Sequence, residues 1–269
     1  MTAITETFQK LESRSEAALV GYVTAGDPEP QCTPKIAEAL IEGGVDILEL
    51  GLPFSDPIAD GPTIQAASVR ALNAGTRPRK VLEMAMEIRE RTDVPIVVMT
   101  YYNPVFRMGL DNFFRLAKDY MVDGLIVPDL PVEEAGDYKQ AAIERGVDTI
   151  FLAAPSTSIQ RLPKIVERTS GFLYLVSHFG VTGAKATVEQ STIKLIKKVL
   201  PYIKGRIPLA VGFGVSKPEH AKCIIESGAD GVIVGSAFVN IIQRNQRKID
   251  NMLIELEEAA RKLKEATRQ

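Results

Sequence analysis

The sequence predicts an α/β fold, a single-domain (β/α)8 TIM barrel with an extra N-terminal helix and a C-terminal helix. Short apolar runs rich in Val, Ile and Leu alternate with longer amphipathic stretches along the chain. We count eight such runs, and each is continuously apolar, which is typical of parallel strands covered on both faces. The length of 269 residues also suits one α/β barrel, which routinely occupies about 200–250 residues.

Each apolar run predicts one strand, and the stretch after it predicts a helix. The strands are expected to begin near Ala18, Ile47, Pro95, Gly124, Asp148, Phe172, Pro208 and Gly231. The helices are expected over residues 31–42, 63–74, 79–91, 110–120, 133–145, 159–169, 189–200 and 217–227. Gly43 and Gly44 end the first of these helices, and Ser158 is a candidate N-cap for the sixth. This alternation indicates βαβ units and a parallel sheet.

Two amphipathic segments lie outside the eight units, near residues 3–13 and 247–266. The second has an apolar stripe of Met252, Leu256, Ala259 and Leu263, which favours a helix packed on the barrel. An open doubly wound sheet fits less well, because it usually has fewer strands and the first strand here lacks a G-x-G-x-x-G turn. No segment is typical of a linker, so residues 1–269 are predicted to form one domain.

Composition and charge exclude several classes of protein. The contents of 45% hydrophobic and 25% charged residues are ordinary for a globular protein and not for a disordered or collagen-like chain. The net charge of −2 disfavours a nucleic-acid binder, which usually has a basic excess. Two cysteines are too few for a disulfide framework and indicate reduced thiols in a cytoplasmic protein. Two histidines make a histidine-based metal site unexpected. We expect no membrane span and no signal peptide.

Glu49 is the sharpest candidate for catalysis, because it lies inside the apolar run Ile47-Leu48-Glu49-Leu50. A buried carboxylate is costly unless it is paired or its pKa rises, and a raised pKa suits a general acid–base at neutral pH. The alternative is a structural ion pair inside the barrel, but none of the eight runs contains Lys or Arg. The same absence disfavours a Schiff-base lysine.

The segment after Glu49 is long for a βα loop and contains Asp56 and Asp60. Asp-Pro and Asp-Gly pairs are common turn formers, so either residue has an ordinary structural explanation. The alternative is a catalytic role. It is supported by position, because barrel enzymes place their catalytic groups at the carboxyl ends of strands and in the loops that follow. One of these aspartates would then supply a second carboxylate across the site from Glu49.

Glycines follow the last three predicted strands, in the segments FGVTG (179–183), GFG (212–214) and GS (235–236). In barrels a phosphate often binds after strands seven and eight at a helix N-terminus, and glycine lets backbone N–H groups approach the anion. The alternative is that these glycines only end the strands. His178 is assigned no catalytic role. Asp129 is expected to cap a backbone turn or to line a subunit contact, and ligand binding is a third possibility.

Residues 49–65 read ELGLPFSDPIADGPTIQ and resemble the signature segment of the tryptophan synthase alpha chain family. Supporting segments are YNPVF (102–106), DLPVEE (129–134), GVTG (180–183), GFGV (212–215) and GSA (235–237). The resemblance covers nearly all of the chain. It implies a (β/α)8 barrel that cleaves indole-3-glycerol phosphate to indole and glyceraldehyde 3-phosphate by a retro-aldol reaction.

The resemblance also implies roles for single residues. Glu49 matches the family's acid–base carboxylate, and Asp60 matches the carboxylate that binds the indole N–H. The implied indole and glycerol pocket consists of Tyr22, Ile64, Met99, Tyr101 and Leu152, with Tyr174 beside the glutamate. The implied phosphate and loop positions are Thr182, Gly183, Gly212, Phe213, Gly214, Gly235 and Ser236.

No cofactor belongs to the family's alpha chain itself. Its partner is the beta chain, which carries pyridoxal phosphate and forms an α2β2 heterotetramer with it. Residues 53–60 and 103–106 would face that partner. Two departures stand out: His178 and Phe179 occupy positions where the best-known bacterial members have Arg and Ser, and Tyr22 replaces a common Phe.

Two other functions compete with the lyase. One is a catalytically weak barrel that mainly binds and activates a partner beta chain, and the presence of Glu49 and Asp60 argues against it. The other is a different phosphosugar barrel enzyme, such as an isomerase, and the segment 53–63 argues against that.

Overall fold

The computed structural model describes residues 1–177, 185–212 and 214–268, with residues 185–189 described by their backbone alone. Within these ranges nine strands pair in parallel in one sheet, in the order β5-β4-β3-β2-β1-β9-β8-β7-β6. They are β1 (Ala18–Thr24), β2 (Ile47–Gly51), β3 (Ile96–Met99), β4 (Gly124–Ile126), β5 (Asp148–Ile150), β6 (Leu152–Ala153), β7 (Leu173–Val176), β8 (Leu209–Gly212) and β9 (Gly231–Val234).

Phe151 joins the two edges of this sheet. It separates β5, which pairs with β4, from β6, which pairs with β7. The Tyr174 amide donates a hydrogen bond to the Phe151 carbonyl at 3.1 Å, so backbone bonding continues across the interruption. β5 and β6 are therefore two halves of the fifth predicted strand. The prediction of a (β/α)8 barrel is confirmed.

Twelve α-helices surround the strands in the described ranges. They are α1 (Ala3–Glu12), α2 (Thr33–Glu42), α3 (Pro62–Asn73), α4 (Pro78–Arg89), α5 (Tyr102–Met108), α6 (Leu110–Asp119), α7 (Gly136–Arg145), α8 (Leu162–Arg168), α9 (Lys185–Ile203), α10 (Pro218–Glu226), α11 (Ser236–Arg244) and α12 (Ile249–Glu265). Helices α5 and α11 were not predicted. The prediction of Ser158 as a helix cap is wrong, because α8 begins after Arg161 with a proline in its first turn, where proline is favoured.

Alternate residues of the strands fill the barrel interior, and α1 covers its N-terminal end. The interior cluster includes Val20, Ile47 and Val97 from three neighbouring strands, and Phe8 of α1 packs against Phe172 with ring centroids 5.8 Å apart. Side chains two residues further along each strand point to the same interior at the carboxyl end. The strand periodicity therefore directs Tyr22, Glu49, Met99 and Tyr174 toward one place.

Helix α12 packs on the outside through the predicted apolar stripe. Met252, Leu256 and Leu263 are buried as expected, but Ala260 rather than Ala259 is the buried alanine. The Lys264 ammonium lies 3.0 Å from an Asp46 carboxyl oxygen, which ties the end of the helix to the start of β2. In the part of the chain that the structure describes, no helix is both long and apolar enough to cross a membrane.

Candidate active site

Glu49 lies at the centre of the carboxyl end of the barrel. In the sheet register it sits between Tyr22 of β1 and Val97 of β3, and only 1% of its surface is exposed. Neither of its carboxyl oxygens has a hydrogen-bond partner among the described residues. Burial, followed by the nearby Asp60 carboxylate, raises the pKa of Glu49 to about 8. Glu49 is therefore mostly protonated at neutral pH.

The alternative explanation of Glu49 as half of a structural ion pair finds no support in the described residues. None of their Lys or Arg side chains lies within ion-pair distance of Glu49, and the one charge that affects its pKa is the carboxylate of Asp60. The Asp60 carboxylate adds to the effect of burial on the pKa of Glu49, and a carboxyl shifted by burial together with a nearby like charge in a cleft is a candidate functional group.

Replacing Glu49 by Gln is expected to stabilise the protein at high pH. Below the ordinary pKa of 4.5, folded and unfolded chains both carry the protonated acid, so the substitution changes little. Between that pH and about 8 the unfolded chain ionises first. The free energy of unfolding of the parent then falls by about 1.4 kcal/mol per pH unit, and the variant avoids this loss.

Urea unfolding of the parent and of Glu49→Gln at about pH 5 and pH 8.5 would measure this difference. The advantage of the variant should grow by roughly 2–5 kcal/mol between the two pH values, since about 1.4 kcal/mol accompanies each unit of pKa shift. An equal advantage at both pH values would mean that Glu49 titrates in its ordinary range.

Asp60 approaches the same cavity from the loop between β2 and α3. The Tyr101 hydroxyl donates a hydrogen bond to the Asp60 carboxylate and accepts one from the Ala59 amide at 3.0 Å. Burial raises the pKa of Asp60 to about 6, although the Tyr101 hydrogen bond acts to lower it. Phe54 stacks on the Tyr101 ring with centroids 5.3 Å apart. Asp60 is therefore mostly ionised at pH 7, where Glu49 is mostly neutral.

One cavity brings most of the candidate residues together. Its lining is Tyr22, Glu49, Asp60, Gly61, Ile64, Met99, Tyr174, Gly214, Ile233, Gly235 and Ser236. Gly61 and Ile233 were not predicted. Ile233 lies two residues before Gly235 on β9, so the strand period could have indicated it. The remaining nine lining residues were all predicted site residues, and their individual roles remain predictions.

Other candidates lie next to this cavity or outside the described residues. Leu152 is the register partner of Tyr174 and packs against the barrel interior, and Gly212 ends β8. Among the described residues, no group of three His, Cys, Asp or Glu side chains could hold a metal ion. The predicted positions that fall outside the described residues are His178, Phe179, Thr182, Gly183 and Phe213.

Glycines at the strand ends make room for two buried tyrosines. A Cβ on Gly51 would lie 2.2 Å from the Tyr22 hydroxyl oxygen, and a Cβ on Gly212 would lie 2.6 Å from that of Tyr174. The Tyr22 hydroxyl lies 3.2 Å from the Thr24 hydroxyl, which gives this departure from the common Phe its hydrogen-bond partner. Gly212 therefore has a steric role beside Tyr174, which the sequence did not indicate.

Asp129 and Asp56 have ordinary structural contacts. The Asp129 carboxylate accepts a hydrogen bond from the Tyr102 amide at 2.8 Å, so it caps the start of α5, as one of its predicted roles requires. Asp56 is exposed and hydrogen-bonded to Ser55, and it does not line the cavity. Of the two loop aspartates, the structure places Asp60 across from Glu49.

The fold and the cavity define a (β/α)8-barrel protein with its carboxylate site at the carboxyl ends of the strands, where barrel enzymes carry out catalysis. A model of the family described as tryptophan synthase alpha chain matches residues 8–268. The chain belongs to the tryptophan synthase alpha chain family.

Similar proteins span nearly the whole chain. The tryptophan synthase alpha chain of Methanosarcina acetivorans is 51% identical over 261 residues, which cover 97% of this chain and 92% of that one. Tryptophan synthase subunit alpha of Legionella pneumophila has a TM-score of 0.88 at 34% identity, covering 99% and 98% of the two chains. A chain of the tryptophan synthase α2β2 complex of Pyrococcus furiosus has a TM-score of 0.86 at 43% identity, covering 93% and 98%.

Proposed function

We propose that this protein is the alpha chain of a tryptophan synthase, a lyase in L-tryptophan biosynthesis that cleaves indole-3-glycerol phosphate to indole and glyceraldehyde 3-phosphate. One observation carries the proposal. Glu49 and Asp60 share one cavity, and their pKa values of about 8 and about 6 make one an acid and the other an anion at pH 7. Environments that push two carboxyl pKa values apart are how enzymes divide acid and base roles.

The retro-aldol reaction needs one protonated carboxyl group and one ionised carboxylate in the same site. Protonated Glu49 donates its proton to indole C3, which gives an indolenine cation whose positive charge is shared with N1. The Asp60 carboxylate accepts a hydrogen bond from the N1–H group and stabilises that charge. Glu49, now ionised, takes the proton of the hydroxyl on the carbon attached to C3. The O–H electrons form the aldehyde, the C–C bond breaks, and its electron pair restores the aromatic ring.

The walls of the cavity suit a planar aromatic substrate. Tyr22, Ile64 and Met99 form an apolar surface beside the carboxyls, and Tyr174 lies near Glu49. Tyr101 holds the loop that carries Asp60. An apolar enclosure keeps water from the charged intermediate and strengthens the electrostatic contribution of Asp60.

The phosphate of the substrate is proposed to bind at the N-terminus of α11. Gly235 and Ser236 line the cavity and occupy the N-cap and first position of this nine-residue helix, and Gly214 follows β8 on the adjacent wall. Free N–H groups and the helix dipole favour an anion there. Gly183 and Gly212 complete the phosphate set that the resemblance implies, and Thr182 and Phe213 are further implied substrate-binding positions.

The partner is proposed to be a tryptophan synthase beta chain, with pyridoxal phosphate bound in that chain and no cofactor in this one. Two exposed apolar side chains support the position of the contact. Ile58 is 82% exposed in the loop that carries Asp60, and Phe106 is 67% exposed on α5. Both segments follow the carboxyl ends of strands, on the side of the barrel where indole would leave.

Phe106→Ser is expected to weaken binding of a beta chain by about 10–30-fold, because truncating an aromatic side chain that anchors an interface costs about 2 kcal/mol. The isolated variant should release indole at the parent rate. Isothermal titration with a beta chain would measure the dissociation constant. The matched control is Ile143→Ser on α7, a helix on another part of the barrel, where the side chain is 61% exposed. Equal affinities of both variants would contradict the proposed contact.

We further propose that residues 1–269 form one domain and that the protein acts in the cytoplasm. The contacts of α1 with the barrel interior and of α12 with α2 support the first proposal. The low cysteine content supports the second.

The deciding experiment is indole release from indole-3-glycerol phosphate by the purified chain, with and without a beta chain. We expect release in both conditions. If neither condition gives indole but the chain still raises the activity of a beta chain, the protein is instead the catalytically weak activator. If it does neither, both functions are wrong.

A further inference from the structure

Helix α3 forms part of the site wall but has a small apolar contact with the barrel. Its buried residues are Ile64, Ala67, Ser68 and Ala71, and three of these four have small side chains. Ile64 and Ala67 belong to a small cluster with Tyr22 that is separate from the main core. Since the hydrophobic contribution scales with the apolar area buried, packing alone holds this helix weakly.

A buried ion pair provides a second anchor for α3. Arg70 donates from Nε and Nη2 to the two carboxyl oxygens of Asp27, both at 2.8 Å. The Asp27 side chain is fully buried, and that of Arg70 is 18% exposed. Two parallel charge-assisted bonds fix direction as well as distance, so this pair sets how the helix lies on the barrel.

The Asp27 end of the pair is rigid. The preceding residue, Gly26, donates from its amide to the Thr33 hydroxyl at 2.8 Å, and the Ala25 amide donates to the Gly51 carbonyl at 2.9 Å. Gly26 has φ +88, and a Cβ there would lie 1.9 Å from the Thr76 hydroxyl oxygen. The turn is therefore fixed to α2, to β2 and to the segment after α3.

The Arg70 end connects to the site through the same helix. Gln65, five residues before Arg70 on the same helix, donates from its side-chain amide to the Asp60 carbonyl at 2.8 Å. Ile64 lines the cavity, and α3 begins at Pro62, directly after Gly61. A shift of α3 therefore moves Ile64 and the backbone of Asp60 together.

We propose that Asp27 and Arg70 are positioning residues, whose ion pair holds α3 so that Asp60 and Ile64 keep their places in the cavity. Neither side chain lines the cavity, so they act through α3 and not on the substrate. The kinetic consequence rests on the proposed lyase function, whereas the structural consequence does not.

The kinetic test compares Arg70→Met, Asp27→Asn and the double variant with the parent. Each single variant should lower kcat for indole formation by about 10–100-fold with a much smaller change in KM, because a displacement of about 1 Å can cost about 100-fold. The double variant should be no worse than either single one, since both remove the same interaction. Additive losses would overturn the proposal.

A matched ion pair at the other end of the barrel separates positioning from stability. Arg89 of α4 pairs with Asp123 at the start of β4, and both side chains are largely buried. Arg89→Met should lower the melting temperature as Arg70→Met does, but it should change kcat by less than about twofold, as expected of a site far from the chemistry.

Hydrogen exchange provides a readout that needs no activity. In Arg70→Met the amides of residues 53–65 should exchange faster than in the parent, and in Arg89→Met they should not. Unchanged exchange in Arg70→Met would overturn the positioning role. If Arg70→Met does not fold, Arg70→Lys decides by the same two measurements, because Lys keeps the charge but loses the two parallel bonds. If the parent forms no indole, the lyase function fails while the exchange result still decides this proposal.

Discussion

Glu49→Gln is expected to lower the rate of indole formation by about 10²–10⁴-fold, the usual contribution of a positioned general acid–base. Gln has the shape of the protonated acid but cannot transfer a proton to indole C3 or take one from the hydroxyl. The carboxyl oxygens make no hydrogen bond with the described residues, so the substitution breaks none of those contacts. The fold and phosphate binding should therefore remain.

Single-turnover measurement of indole release would give the loss, with inorganic phosphate binding as a check on the site. The control is Asp230→Asn, which changes an exposed carboxyl at the N-terminal end of the barrel. Asp230 accepts a hydrogen bond from the Leu209 amide at 2.7 Å, so this control should lower stability and leave the rate unchanged. If Glu49→Gln keeps more than about a tenth of the parent rate, Glu49 is not the general acid–base.

Asp60→Asn is expected to lower kcat by about 10²–10³-fold with little change in KM, because the carboxylate acts mainly on the charge of the transition state. The parent requires ionised Asp60 and protonated Glu49. Its kcat/KM should therefore fall below about pH 6 and above about pH 8. The residual activity of Asp60→Asn should lose the acidic limb of this profile. It should keep a basic limb that lies at lower pH than in the parent, because the Asp60 charge no longer raises the pKa of Glu49.

The pH profiles of the parent, Asp60→Asn and Asp56→Asn would test this assignment. Asp56 lies in the same loop but is exposed and hydrogen-bonded to Ser55, so its variant should keep both limbs and nearly the parent rate. A change in KM alone for Asp60→Asn would instead indicate uniform binding of substrate and transition state. An acidic limb that persists in Asp60→Asn would assign it to another group.

The barrel could be predicted because its strand signals are local. Runs such as Gly231–Val234 are apolar on both faces, and this pattern needs only neighbouring residues to be recognised. Helix α5 could not be predicted in the same way. Its cap is Asp129, which is 27 positions away in sequence, so no start signal precedes Tyr102. The N-cap residue of helix α11 is Gly235, which has no side chain to signal a helix start.

The candidate site likewise has features that could be predicted from the sequence and others that could not. Glu49 was predicted from its own strand, because a carboxylate inside an apolar run is costly. Position in the following loop left Asp56 and Asp60 both open, and only the family resemblance singled out Asp60. The partner of the Tyr22 hydroxyl could not be predicted. Neither could the space that Gly51 leaves for it, because both depend on how adjacent strands meet. The Arg70–Asp27 pair joins residues 43 positions apart.

The sequence by itself determined the succession of strands and helices and the presence of a carboxylate inside the second strand. The apolar pattern of a strand and the free-energy cost of burying a carboxylate can both be read from a short segment. Both apply wherever that segment lies in the fold. The tertiary structure alone decided that Glu49 is unpaired among the described residues and that Asp60 lies close enough to raise its pKa. Electrostatic interaction depends on distance and on exclusion of water, and both are set by residues brought together from separate strands and loops.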